Sequence, residues 1–290
     1  MNNNAVWFVT TEHLEDRLLF RDRDDFRVAM NYVAMLVHKV GVSVLAFSLM
    51  SNHVHFVMAC AKELAEKFIT DFKAVYSKYL TKKYGFREHL RDLGVDMRAI
   101  DISNEGLEKV VAYVQMNPVA ANICAFPSDY LWGSGRVFFD PNPLTGTPLN
   151  KLSAREQFRI LRTKVILPSD WVLTEHGFID PRCYIKKEFV ESVFRTPKRM
   201  SFFLRNSSKA KLRLESQENG IPAFKDQLIV AAIPDLCWSM FQKKSIGELN
   251  EEQSVELFRQ IRYRFSANVN QIARVTGFSY EYVAACLDRP

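Results

Sequence analysis

The 290-residue sequence predicts an α+β fold. It reads as a ferredoxin-like antiparallel sheet with helices over residues 1–140, followed by a mostly helical C-terminal extension. Three observations predict it. Strand-length apolar runs and helical periodicities alternate in the order β-α-β-β-α-β-α. The stretch "DPNPLTGTPLN" at 140–150 carries three prolines and a glycine and marks a linker. Beyond it the composition turns basic and helical.

The elements follow in order. "AVWFVTT" (5–11) is a first strand. "DRDDFRVAMNYVAMLVHKV" places Phe26, Met30, Val33 and Val37 at helical spacing. "VSVLAFSLM" and "HVHFVMA" are two strands joined by a tight turn at Ser51-Asn52, which makes a hairpin. "AKELAEKFITDFKAVYSKYLTKKYG" is a long helix stopped by Gly85. "GVDMRAIDI" is a fourth strand. Ser103 or Asn104 caps the next helix, "EGLEKVVAYVQMN", and Pro118 closes it soon after. The expected arrangement is a sheet with its helices on one face. No internal repeat or low-complexity tract is present.

Hydrophobic residues make up 48% of the chain and charged residues 25%, which fits a globular protein and not a disordered one. No apolar run is long enough to span a bilayer, and the N-terminus lacks a basic segment followed by an apolar one. Five scattered cysteines form no CxxC pair, which argues for a reducing cytoplasm and against structural zinc. The net charge of +6 is unevenly placed. Residues 1–140 hold 16 Lys/Arg against 17 Asp/Glu, and residues 141–290 hold 23 against 16, a net of +7. Within that half, residues 182–213 hold 10 basic and 2 acidic residues, with Phe189, Phe194, Phe202 and Phe203 interleaved. Lys186, Lys187, Lys198, Arg199 and Arg205 are its candidate DNA contacts, since such a segment can neutralise phosphates and stack bases. The alternative is a solvated helical face over a phenylalanine core.

"SLMSNHVHFVMA" (48–59) stands out. His53 and His55 are two apart on a strand, so both imidazoles face the same way and can converge on one metal ion. A lone histidine there would more often be a satisfied core residue. Tyr113 and Asn117, in "VVAYVQMNPV", are four apart and share a helix face. They offer a phenol and a carboxamide to the strand, or else a core aromatic and a helix cap before Pro118.

In the tail, "QIARVTGFSYEYVAACL" has a helix-turn-helix pattern: Ala273 and Gly277 four apart, with Ile272, Phe278 and Val283 at apolar positions. Gly277 permits the turn and Ser279 can cap the second helix. That helix would present Tyr280 and Tyr282 to a DNA major groove. The alternative is a small structural bundle. The organisation expected is therefore a domain over 1–140, a basic helical region over 151–245 and a helix-turn-helix-like unit over 246–290.

Three stretches together, "LMSNHVHFVMA", "AYVQMNPVAANI" and "DYLWGSGR", resemble the REP-associated tyrosine transposases, members of the single-tyrosine HUH, IS200-like transposase family. His53, Val54 and His55 match its His-hydrophobic-His motif. Tyr113, Asn117, Pro118 and Val119 match its Tyr-x-x-x-Asn-Pro-Val helix, and Tyr130 and Trp132 a Tyr-x-Trp segment. The resemblance covers about residues 5–140. It implies an HUH nuclease domain, with Tyr113 as a nucleophile that forms a 5′-phosphotyrosine with single-stranded or hairpin DNA. It also implies a divalent metal, Mg²⁺ or Mn²⁺, held by His53, His55 and Asn117, and a bacterial, nucleoid-associated setting without a membrane. The chain departs from the family at Ser51, where proline is frequent, at Ala120, where a basic residue is frequent, and in the stretch before the fourth strand, where Phe-Gln-Gly-Arg-Tyr-Lys is not recognisable. A replication initiator or relaxase of the same chemistry and a DNA-binding regulator derived from a transposase are the rival readings. Monomer and homodimer both remain open.

Overall fold

The computed structural model describes residues 5–11, 18–85, 94–207, 226–265, 267 and 269–287. Strands β1 (Val6–Thr10), β2 (Ser43–Met50), β3 (His53–Ala59) and β4 (Asp96–Ile100) form one antiparallel sheet in the order β2-β3-β1-β4. Helix α1 (Arg23–Val40) connects β1 to β2, and α2 (Lys62–Tyr84) connects β3 to β4. This is the ferredoxin-like α+β arrangement that the element order predicts.

Helix α1 starts where Asp22 accepts from the Asp25 backbone N–H and stops at Gly41, in the left-handed region. Gly85 ends α2 in the same way, with φ +74°. The stretch 86–93, which holds much of the departure before β4, lies outside the described residues.

The sheet is covered on both faces, which is why β2 and β3 are buried along nearly their whole length. On one face, Phe68 and Phe72 of α2 pack edge-on against Phe56, and α1 pairs with α2. Helix α3 (Gly106–Ala120) lies across the opposite face. There Tyr113 meets Phe8 and His55. The expectation of helices on one face therefore fits α1 and α2 and not α3. Residues directly opposite in a sheet share a face, and the register Phe8↔Val57, Thr10↔His55 and Met50↔His53 puts both histidines beneath α3.

The Pro-rich stretch at 140–150 does not divide the chain into separate cores. Leu149, Leu161, Phe178, Ile179, Ile185, Phe194 and Phe203 belong to the same buried cluster as the sheet. Buried Asn31 of α1 pins this region by bonding the Gly177 carbonyl and the Ile179 N–H, each at 3.0 Å. The reason is complementarity: the outer side of α1 and the edge of β2 are apolar and need a cover. Residues 147–207 supply it with a short ribbon (Thr147–Pro148 with Val172–Leu173, β5 and β6) and helices α4 (Ala154–Leu161), α5 (Lys187–Phe194) and α6 (Pro197–Arg205).

A second core joins α7 (Asp226–Phe241), α8 (Glu251–Phe265), α9 (Val269–Thr276) and α10 (Tyr280–Leu287), with Leu18 inserted into it. Gly277, at φ +76°, makes the turn between α9 and α10, and Ser279 Oγ accepts from the Tyr282 N–H at 3.2 Å. This unit docks on the sheet end of the first. Arg264 is buried and donates to the Phe20 carbonyl at 2.9 Å, Arg21 pairs with Asp235 at 3.0 Å, and Ser51 Oγ donates to the Arg264 carbonyl at 3.4 Å. No helix among the described residues is long and apolar enough to cross a membrane. None of the five cysteines forms a disulfide.

Candidate active site

The hairpin turn before the histidines is buried, which is unusual for a loop: Ser51 and Asn52 are each 3% exposed. Buried turn backbone must find partners. The Ser51 carbonyl accepts from the N–H groups of Leu19 and Phe20 at 2.8 and 3.0 Å. At the end of β2, the Tyr130 hydroxyl donates to the Leu49 carbonyl at 2.6 Å, and the Leu49 N–H donates to the Trp132 carbonyl at 2.9 Å. Trp132 stacks on Phe26. Burial pushes the Tyr130 phenol well above its ordinary pKa, so it is a fixed donor and not a nucleophile. The Tyr-x-Trp segment thus braces the hairpin that presents the histidines. Tyr130→Phe removes one buried hydrogen bond and should cost about 1 kcal/mol, read as a small drop in melting temperature with DNA cleavage retained. Loss of cleavage in a folded Tyr130→Phe protein would contradict the bracing role.

His53 and His55 lie with ring centroids 4.6 Å apart at 75°. His53 is half-buried, and its Nδ1 is 2.8 Å from Asn52 Oδ1. An amide oxygen only accepts, so in this contact Nδ1 is the donor, and in the neutral ring Nε2 is then the nitrogen whose lone pair can bind a cation. His55 is buried and stacks on Phe8 at 5.6 Å. Asn52 and Phe8 therefore orient the pair, and sequence spacing did not single out either. Position was a usable signal for Asn52, which directly precedes His53. Phe8 carried none, because its pairing with Val57 crosses the sheet.

Helix α3 brings the phenol. Its entry is tight: Asn104 and Glu105 have positive φ, and a Cβ on Gly106 would lie 1.8 Å from the Asp101 carbonyl oxygen. The cap expected from Ser103 or Asn104 is not the one present, since Glu105 holds that place without a side-chain bond. Tyr113 is half-buried, and its ring stands edge-on to Phe8 at 5.8 Å and to His55 at 6.0 Å.

Pro118 sits inside the helix, which continues to Ala120. A proline lacks the N–H that would bond the Val114 carbonyl four residues back. Asn117 offers a substitute: its Nδ2 lies 3.4 Å from that carbonyl and 3.0 Å from the Tyr113 carbonyl. With the nitrogen turned to the helix, the amide oxygen points the other way. His53, His55 and Tyr113 are thus brought together, while Asn117 is buried one turn further along α3.

The donor set expected from the sequence is the imidazoles of His53 and His55 and the amide oxygen of Asn117. Among the described residues, no group of three or more His, Cys, Asp or Glu side chains could hold an ion. A set of imidazole and oxygen donors suits a divalent cation and leaves its charge undiminished.

The expected DNA contacts are split between two places. Lys186 and Lys187 sit at the outer edge of the sheet, where the Lys186 N–H donates to the Val44 carbonyl. Lys187 is engaged with the Asp140 carbonyl at 3.1 Å and with Glu191. Lys198, Arg199 and Arg205 are on α6, beside α3. Lys198 and Arg205 are exposed. Arg199 is held by Glu105 and Glu108, both at 3.0 Å. Tyr280 is exposed on α10, whereas Tyr282 stacks on Phe278 at 5.3 Å within the second core. The basic positions after residue 207, up to 213, lie outside the described residues.

Residues 10–116 match the family model described as "Transposase IS200 like". The match includes His53, His55 and Tyr113 and stops one residue before Asn117. A solved structure of a REP-associated tyrosine transposase bound to a REP hairpin is loosely similar, with 14% identity, a TM-score of 0.34, and coverage of 46% of this chain and 78% of that one. Among curated proteins, none matches.

Proposed function

We propose, from the match of residues 10–116 to the IS200-like transposase family model, that this chain cuts single-stranded or hairpin DNA and rejoins it through a phosphotyrosine at Tyr113. The observation that carries the proposal is the clustering of the Tyr113, His53 and His55 rings on one face of the sheet.

The chemistry follows from the residues. The Tyr113 oxygen attacks the scissile phosphorus, a new P–O bond forms to the phenol, and the bond to the 3′ oxygen breaks. The leaving 3′ oxygen takes a proton and becomes a free hydroxyl, while the 5′ phosphate stays on the protein. A phenol has a pKa near 10, so it must lose its proton to be an effective nucleophile. His53, His55 and Asn117 would hold the divalent cation, Mg²⁺ or Mn²⁺, which when bound polarises the phosphate and balances its charge. Asn52 keeps His53 Nε2 available, and Phe8 fixes the planes of His55 and Tyr113. The phosphotyrosine keeps the energy of the broken bond, so the reverse attack by a 3′ hydroxyl needs no nucleotide cofactor.

The helix-turn-helix-like pair α9–α10 and the exposed α6 cations Lys198 and Arg205 are the surfaces we assign to holding flanking DNA. Arg199 contributes by partly offsetting the carboxylates of Glu105 and Glu108 beside them.

The metal arm of the proposal is tested by His53→Ala and His55→Ala. Both variants should fold and lose cleavage of hairpin DNA across a Mg²⁺ or Mn²⁺ titration, by about 100-fold or more, as expected when a charge-stabilising ligand set is broken. Chelation should do the same to the wild type. Equal activity of either variant and the wild type at every metal concentration would remove the ion from this site. A wild type that binds hairpin DNA and never cuts it would favour the regulator reading.

A further inference from the structure

A cleft of about 760 Å³ opens beside Tyr113, between β4, the first turns of α3, and α6. Phe8 and Tyr113 form its inner end, Arg98 and Lys109 line one side, and Phe202 and Phe203 line the other. Its volume lies within the usual range for ligand sites of about 300–1,000 Å³. The wall from α6 belongs to the extension and lies outside the region matched to the transposase family.

That wall is built to stay in place. Phe203 is buried and packs against Phe194 at 5.8 Å. Arg199 ties α6 to α3 through Glu105 and Glu108 and lies 5.1 Å from the centre of the Phe203 ring. The next ring, Phe202, is 58% exposed and stands perpendicular to Phe203 at 5.5 Å. An aromatic ring on a rigid helix, facing a cleft with cations, has the composition of a stacking platform for single-stranded nucleic acid. Glu105, the acidic residue of the lining, is paired with Arg199, which it shares with Glu108, so its charge toward a phosphate there is partly offset.

We propose that this cleft is a subsite for one unpaired nucleotide next to the scissile phosphate, its base stacked on Phe202 and its backbone drawn to Arg98 and Lys109. The proposal rests on Tyr113 as the reacting residue for the words "next to the scissile phosphate". It adds to that reading the means by which the strand is held flat and unpaired as it enters the site. A base stacked face-on to Phe202 has left its pairing partner, so the subsite selects for single-stranded DNA at the cut.

The experiment uses the full chain and a twelve-residue oligothymidylate, with a fully abasic twelve-mer of the same backbone charge as control. Phe202→Ala should weaken oligothymidylate binding about tenfold, as expected from the loss of one stacked base. Its melting temperature should be unchanged, because the ring is exposed. Phe202→Trp should retain binding, and its added indole emission, read against the wild-type background, should be quenched by oligothymidylate and not by the abasic strand. Wild-type affinity in Phe202→Ala, or equal quenching by both strands, would overturn the proposal. These are binding measurements. They are read independently of the covalent adduct, so failure of Tyr113 as nucleophile and failure of the Phe202 platform give different results.

Discussion

Tyr113→Phe is expected to abolish the covalent protein–DNA adduct and leave stability and DNA binding nearly unchanged. The phenolic hydroxyl is the only group the substitution removes, and the ring keeps its edge contacts with Phe8 and His55. The assay reads polarity as well as attachment. A 3′-labelled hairpin oligonucleotide should shift to a denaturant-stable adduct with the wild type, because the 5′ phosphate remains on Tyr113. A 5′-labelled one should appear as a shorter free strand. With Tyr113→Phe both signals should fall below detection, a loss of at least about 10³-fold, since the nucleophile is gone and the remaining groups only bind and polarise the phosphate. An adduct that persists in Tyr113→Phe, or hydrolysis by the wild type without any adduct, would refute the assignment. Tyr84, Tyr76 and Tyr79 are poor substitutes, because burial raises all three phenols and the nearby Asp22 and Asp25 carboxylates raise them further.

Arg264→Ala is expected to be the most destabilising single change at the junction of the two cores. The guanidinium donates to the Phe20 carbonyl and, through Nε, to Gln260 Oε1 at 2.9 Å. Burial lowers its pKa, and the Asp22 and Asp25 carboxylates work against that effect. Truncation leaves the Phe20 carbonyl buried without this donor and empties the space of a long side chain. The cost should be about 3 kcal/mol. For a chain of this size that corresponds to a fall of about 5–10 °C in melting temperature by calorimetry. Arg262→Ala, two residues away on the exposed side of α8, should shift it by less than about 2 °C. Equal melting temperatures for the two variants would mean that Arg264 does not join the units. The same change should slow cleavage by a few fold if the Ser51-Asn52 turn loosens, since Ser51 bonds the Arg264 carbonyl and Asn52 bonds His53.

Ser51 stands where the transposases that this chain resembles often have proline, and its side chain makes a contact of its own. A proline has no hydroxyl to offer, whereas Ser51 Oγ reaches the backbone of α8. The residue that looks like an irregularity in the motif is a contact made to the extension.

The sequence by itself determined what depends on short-range periodicity. A spacing of two put His53 and His55 on one strand face, and a spacing of four stacked Tyr113 over Asn117. Gly85 and Gly277 marked helix ends because only the left-handed region continues the chain there without strain. Composition and order were enough for the α+β fold, because each amphipathic segment states locally that it must bury one side. Tertiary structure alone decided which sides meet. Nothing in the spacing of α3 says that it covers the sheet face opposite α1 and α2. Nothing in "DPNPLTGTPLN" says that the chain beyond it returns to complete the first core with Ile179 and Phe194. The basic segment read as one patch, yet the fold sends Lys186 and Lys187 to one sheet edge and Arg199 to the carboxylates of α3. Phe202 and Phe203 are adjacent and identical in sequence, and only packing makes one a core residue and the other the wall of a cleft. These outcomes turn on burial between segments far apart in the chain, whose free energy depends on complementary surfaces and not on the order of residues within either one.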